Sequence, residues 1–304
     1  MTAAPLGRVL TAMVTPFRSA GVLDLDAAAA VAEHLVATGH DGVVVNGTTG
    51  ESPTTSDEEK AALVRVVVQA VAGRAVVVAG AGTNDTAHSR HLAEQAAAAG
   101  ADGLLVVTPY YSKPTQAGLL AHFTAVADAT DLPCMLYDIP GRSGVPIDTE
   151  TLVRLAEHPR VVAVKDAKAD LYASAWVLAR TDLAYYSGDD ALNLHHLANG
   201  AVGVVSVIGH VVGQRHAVMV AAAQRGDLLA ARAEYRSVLP VVRGIMTRGP
   251  GAVMAKAALQ LTGVLPDRAV RLPLVPATED EVALLRDDLD RAGVPLATAP
   301  APVA

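Results

Sequence analysis

Residues 161–170 read VVAVKDAKAD. The first four are small or β-branched apolar residues, a run suited to a short strand buried on both faces, and Lys165 follows at its end. The same kind of run recurs: VLTAMV from residue 9, GVVVN from 42, AVVVAG from 75, GLLVVT from 103, PCMLYD from 133, LAYYSG from 183 and VGVVSV from 202. Successive runs are about 20 to 33 residues apart, room for a strand, a crossover helix and two short loops, so consecutive strands should be parallel neighbours. Eight such units predict a closed (β/α)8 TIM barrel. An open doubly wound sheet more often has about five to seven strands and a glycine fingerprint after the first, whereas here the first strand runs into TPF.

The intervening stretches are alanine-rich and amphipathic, as in TAHSRHLAEQAAAAG, and several stop at Gly39, Gly73, Gly100 or Gly200, where a left-handed C-terminal cap is expected. Ser56 and Glu59 stand at capping-box spacing. From about residue 212 the strand pattern ceases and helical patterns continue to about 292. The predicted organisation is a catalytic barrel over residues 1–224 and a C-terminal helical appendage over 225–304. Its end, ATAPAPVA, is too rich in proline and alanine to pack and is expected to be a loose tail.

A chain of 304 residues that is 51% hydrophobic can fill a large core. Its net charge of −7 carries no basic run, which argues against nucleic acid and anionic membrane surfaces as partners and for a small molecule. No apolar run approaches the roughly 18 residues of a membrane span, and the start, MTAAPLGRVLTAMVTPF, lacks a basic segment followed by a long apolar core. A cytoplasmic location is expected. The one cysteine, Cys134, has no internal partner and reads as a small strand hydrophobe.

In a barrel of this type the chemistry sits at the carboxyl ends of the strands. Those ends lead into NGTTGES, TPYYSKP, Tyr137 with DIPGRSG, Lys165, and SGDD, while the opposite ends carry Arg8, Asp41, Arg74, Asp131, Arg160 and Asp182. The chain has five lysines against 19 arginines, so arginine serves wherever a permanent charge will do. Lysine at 165 offers what arginine cannot: it can lose its proton and attack a carbonyl to form a Schiff base. The competing reading is a structural ion pair with Asp138, Asp166 or Asp189. Strand alternation predicts that Lys165, Ala163 and Val161 share the barrel interior.

In GTTGES, Gly47 and Gly50 let the backbone bend so that N–H groups converge beside the hydroxyls of Thr48 and Thr49, which suits a carboxylate, although a plain turn would use the same residues. Tyr110, Tyr111 and Tyr137 stand at strand ends, where a phenol either packs or moves a proton. The ten histidines are scattered, and the His195–His196 pair has no convergent carboxylates, so no metal is expected. The last strand does not lead into a glycine-rich phosphate site, which favours an unphosphorylated substrate.

GTTGES, TPYYSKP, LYDIPGRSG, VVAVKDA, YYSGDD and GVVSV occur in the order and spacing of the pyruvate-dependent class I aldolases and lyases. The chain resembles that superfamily over nearly its whole length, and within it the dihydrodipicolinate synthase family most. The resemblance implies a Schiff base between Lys165 and pyruvate, with no cofactor, and Thr48 and Thr49 holding the pyruvate carboxylate. It implies Tyr137 as central acid and base, linked through Thr49 to Tyr111, which in this family reaches in from the adjacent subunit of a homotetramer built from dimers. Arg142 would receive the carboxylate of the second substrate, L-aspartate 4-semialdehyde, and the backbones of Gly188 and Val205 would line the pyruvate site. The implied step belongs to the diaminopimelate route to lysine. Other pyruvate aldolases, of N-acetylneuraminate or 2-keto-3-deoxy sugar acids, are the nearest alternative, and Arg142 and the paired tyrosines favour the first reading. A non-catalytic keto-acid-binding barrel is disfavoured because Lys165, Tyr137 and Tyr111 are all present. One departure stands out: Asp57, Lys60 and His88 replace residues of the family's lysine-feedback pocket while Asn84 and Tyr110 are kept. Weak or absent feedback by lysine is therefore expected.

Overall fold

The computed structural model describes residues 3–18 and 21–297. Eight parallel strands, β1 (Val9–Ala12), β2 (Gly42–Val45), β3 (Val76–Gly80), β4 (Gly103–Val107), β5 (Cys134–Asp138), β6 (Val161–Asp166), β7 (Ala184–Ser187) and β8 (Gly203–Ser206), pair in sequence order, and β8 closes on β1. Each coincides with one of the apolar runs. Because residues alternate across each strand, the barrel has two apolar faces. An inner cluster includes Leu10, Val44, Val78, Leu105, Met135, Ala163 and Val205. An outer one packs Val43, Val77, Leu104, Leu136 and Val164 against the helices. Burying each such valine or leucine contributes about 1.5–3 kcal/mol, so the continuous apolar runs account for the closed form.

The crossover helices begin and end where the sequence indicates. Ser56 and Glu59 form a reciprocal capping box at the start of Asp57–Val71. Gly39, Gly73, Gly100 and Gly200 all have positive φ after helices. The helical run from Gln214 is interrupted: Gly209–Gln224 ends before Gly226, with φ 79°, and Leu228–Val242 follows. The later elements are a π-helical turn at Arg243–Thr247 and the helices Gly251–Leu261 and Glu279–Arg291. Their apolar residues, among them Val241, Ile245, Met254 and Leu285, join the same outer cluster as the barrel. Of the tail ATAPAPVA, only Ala297 falls within the described residues.

One expectation about orientation is overturned. Val161 packs with the outer cluster, not with Lys165 and Ala163. The ladder between β5 and β6 shifts register between Cys134 and Met135, which pair with Val161 and Ala163. Val162 is the extra residue, and it resets the alternation as a bulge does.

Candidate active site

At the carboxyl end of β2, Asn46 takes a left-handed backbone, φ 57°, and its side-chain amide donates to the Lys60 carbonyl at 3.1 Å. The next turn is closed by Gly50 and Ser52 N–H groups on the Gly47 carbonyl, at 3.1 and 3.2 Å, and by Glu51 N–H on Thr48 at 3.2 Å. Gly50 is required here, since a Cβ would lie 2.9 Å from the Met13 carbonyl oxygen. The Thr15 hydroxyl then donates to the Gly50 carbonyl at 2.8 Å. These contacts tie the loop carrying Thr48 and Thr49 to the end of β1.

Tyr137 and Lys165 are cross-strand partners on β5 and β6, and the Lys165 Nζ lies 4.1 Å from the centroid of the Tyr137 ring. Both are buried. Burial pushes the Tyr137 phenol up to about 12, which keeps its proton on. The same cause pulls the Lys165 amine down to about 8, against the nearby charge of Asp190 and with a smaller push from Arg142. Lys165 forms no ion pair among the described residues. The three candidate carboxylates are engaged elsewhere: Asp138 pairs with Lys168 at 3.0 Å and accepts from Ile147 N–H, Asp166 accepts from Lys168 N–H at 2.9 Å, and Asp189 caps Ala191 at 2.9 Å. The structural ion pair of Lys165 is thus set aside in favour of an amine with a depressed basicity.

Gly188 follows β7 and makes room for this amine. Its Cβ would stand 2.8 Å from Lys165 Cγ, 3.1 Å from Cε and 3.1 Å from the Asp166 carbonyl oxygen. Val205 lies in the inner apolar cluster on β8. Beyond Tyr137, the short helix Pro140–Ser143 carries Arg142, and the Ser143 hydroxyl donates to the Ile139 and Val145 carbonyls to hold it in place. A cavity of about 220 Å³ opens above, lined by Thr48, Tyr110, Tyr137 and Arg142 with Leu105, Val107 and Ile139. Cationic and hydroxyl groups over an apolar floor suit a small carboxylate-bearing substrate.

The structure leaves part of the expected set apart. Thr49 is half-buried and, like Lys165, Gly188 and Val205, is not among the residues lining this cavity, and its hydroxyl makes no hydrogen bond to Tyr137 among the described residues. Tyr111 is 90% exposed, with φ 73°, and makes no hydrogen bond to Tyr137 within one chain among the described residues. A positive φ on a bulky aromatic residue is a costly conformation that folded chains keep mainly where it serves a site. Asp190, next to the Asp189 weighed from sequence, is the missed member. Its buried carboxylate accepts from Asn193 at 3.0 Å, Ser206 at 2.6 Å, and the N–H groups of Val207 and Ile208 at 2.8 and 3.0 Å, which fixes a negative charge near Lys165. SGDD marks the place, but nothing in four letters says which aspartate turns inward. No group of three histidine, cysteine, aspartate or glutamate side chains could hold a metal ion among the described residues.

A family model described as the dihydrodipicolinate synthetase family matches residues 5–292. The chain is 66% identical over 299 residues to the 4-hydroxy-tetrahydrodipicolinate synthase of Kineococcus radiotolerans, covering 98% of this chain and 96% of that one. It is 60% identical over 292 residues to 4-hydroxy-tetrahydrodipicolinate synthase 2 of Streptomyces coelicolor, covering 96% and 97%. Among solved structures, the dihydrodipicolinate synthase of Bacillus anthracis superposes with a TM-score of 0.90 at 42% identity, covering 94% of this chain and 98% of that one. The enzyme of Cyanidioschyzon merolae with lysine bound gives 0.91 at 42%, covering 95% and 98%.

Proposed function

The chain belongs to the dihydrodipicolinate synthetase family, and from that premise we propose how its residues carry out the reaction of its relatives. The enzyme is a lyase of the 4-hydroxy-tetrahydrodipicolinate synthase type, condensing pyruvate with L-aspartate 4-semialdehyde in lysine biosynthesis. Lys165 Nζ attacks C2 of pyruvate, the carbonyl oxygen leaves as water, and a protonated imine remains. That imine is the electron sink, so C3 can lose a proton to give the enamine without a metal or other cofactor. The enamine carbon bonds to the aldehyde carbon of the semialdehyde, whose oxygen takes up a proton. The semialdehyde's own amine then closes on C2 and expels the Lys165 amine.

Tyr137, held as the phenol by burial and in contact with Lys165, serves as the acid and base for these transfers, with Thr49 and Tyr111 completing a relay. Thr48 and Thr49 hold the pyruvate carboxylate, Arg142 takes that of the semialdehyde, and the Gly188 and Val205 backbones flank the imine. Tyr111 acts across a subunit boundary in a homotetramer of two dimers, which accounts for its outward, positive-φ placement. Among the described residues, those up to 224 supply the barrel and those from 225 the appendage. We place the enzyme in the cytoplasm.

The single observation that carries this mechanism is the buried Lys165 amine, without a carboxylate partner among the described residues and drawn down to about 8, beside the Tyr137 ring. Borohydride reduction in the presence of pyruvate, followed by peptide mass spectrometry, should find the reduced adduct on Lys165. An adduct on any other residue, or none, removes the mechanism.

A further inference from the structure

The loop bearing Thr48 and Thr49 runs directly into Glu51, whose backbone is left-handed, φ 50° and ψ 37°, a conformation held in a non-glycine residue only where the surroundings enforce it. The enforcement comes from the far end of the chain. The Glu51 carboxylate, 1% exposed, pairs with the equally buried Nζ of Lys256 on the helix Gly251–Leu261 and accepts the Arg271 backbone N–H at 2.9 Å. Lys256 also donates to the Ala269 carbonyl at 2.8 Å and lies 4.3 Å from the centroid of the Phe17 ring.

The Arg271 guanidinium lies at the same 4.3 Å from that ring. It donates to the Gly21 and Thr54 carbonyls at 2.8 Å each and grips Glu59 with two hydrogen bonds of 2.6 and 2.7 Å. Phe17 and Gly21 follow β1, and Thr54 and Glu59 follow β2. Two residues of the appendage therefore clamp both segments that frame the threonine loop. None of Glu51, Lys256 or Arg271 lines the cavity, and their charged groups are engaged with one another, with Glu59 and with backbone carbonyls.

We propose that Glu51, Lys256 and Arg271 are positioning residues that fix the Thr48–Thr49 loop for the pyruvate carboxylate, making the C-terminal appendage part of the substrate site. The inference rests on the reading that these two threonines hold that carboxylate. A buried carboxylate with charge-assisted donors is geometrically fixed, and taking away one partner leaves the other charge buried and unpaired, so the local backbone must move. Displacement of a binding loop by about 1 Å can cost roughly a hundredfold in a reaction. A mere folding staple would instead lower stability and leave the kinetics of the folded molecules alone.

The test is borohydride trapping on Lys165 at graded pyruvate concentrations in the full-length enzyme, Glu51→Gln and Lys256→Met, at a temperature where circular dichroism shows each folded. The half-trapping concentration should rise roughly tenfold or more in both variants, with KM for the aldehyde changing by less than about threefold. Lys256→Arg, which keeps the charge, should recover most of the shift. If Lys256→Met does not fold, Glu51→Gln keeps the side-chain size and an accepting oxygen and carries the test. Arg271→Lys, milder still, should show a smaller shift in the same direction. Lowered melting temperatures with an unchanged half-trapping concentration overturn the proposal. An unmodified enzyme that gives no adduct at any concentration overturns the Schiff-base reading itself, a result readily told apart from the first.

Discussion

The chemistry proposed for Lys165 depends on how much of its amine is free of a proton. Burial draws it down to about 8 from an ordinary value of 10.5, while Asp190 pulls the other way. Only the neutral form attacks a carbonyl, so kcat/KM for pyruvate should rise about tenfold per pH unit below 8 and level off above it. A pH–rate profile at limiting pyruvate checks this, and a flat profile from pH 6 to 9 would sink it. Lys165→Arg should abolish turnover at every pH, because the guanidinium does not deprotonate. Lys60 is a lysine put to another use: burial lowers its basicity too, and the charges of Asp57 and Glu59 oppose that. Its Nζ donates to the Thr55 carbonyl at 2.5 Å, and beside it His88 is bonded to Asp57 at 2.9 Å. At the position that the family resemblance gives to the feedback pocket, a lysine side chain would repel the ammonium group of free lysine, so steady-state turnover should be unaffected by micromolar lysine; inhibition at that level contradicts the assignment.

At the scale of strands and loops, the site depends on where β6 and β7 let a long side chain fit. Gly188→Ala would press a methyl group into Lys165 Cγ at 2.8 Å and against the Asp166 carbonyl oxygen at 3.1 Å. The stem can turn away but the carbonyl cannot, so the amine should leave the Tyr137 ring. Turnover should fall roughly a hundredfold, the size expected for a misplaced reacting group, with melting reduced by only a few degrees in a barrel otherwise intact. Unchanged kcat in this variant would mean that Gly188 is not needed to seat the amine. The strand ends that hold these residues were legible because apolar runs of fixed spacing announce a barrel and the barrel dictates which ends matter. The inward face of Val161 was misread because a register shift between Cys134 and Met135 has no signature in a run of valines and alanines. The inward turn of Asp190 within SGDD and the Glu51–Lys256 pair were not legible. The first depends on which way a turn rotates, the second joins residues 205 positions apart, and no local pattern encodes either.

Across the whole molecule, burial of histidine couples folding to pH. His40 and His210 are enclosed between the first crossover helix, Leu25–Ala37, β1 and the helix Gly209–Gln224, where burial pulls them down to about 3 and about 4. Burial keeps both rings neutral, although each carbonyl bond favours the proton: His40 lies between the Thr11 hydroxyl and the Leu35 carbonyl, at 2.7 and 2.8 Å, and His210 accepts from Val14 N–H at 3.1 Å while donating to the Val207 carbonyl at 2.7 Å. The groups facing them are mostly further imidazoles: His34, His210 and His216 depress His40, and His34 depresses His210 against a small opposing pull from Asp190. An unfolded chain protonates these rings near pH 6.5, but the folded one does not until far lower. Their contribution is therefore complete above about 6.5 and shrinks as the pH falls toward the folded values, on the order of 1 kcal/mol per histidine per pH unit. Thermal unfolding should show a melting temperature lower at pH 5.5 than at pH 7.5, and His40→Gln, which keeps hydrogen-bonding capacity but cannot take up the proton, should reduce that dependence. A pH slope identical in the variant and the unmodified chain would remove His40 as a source of the acid sensitivity.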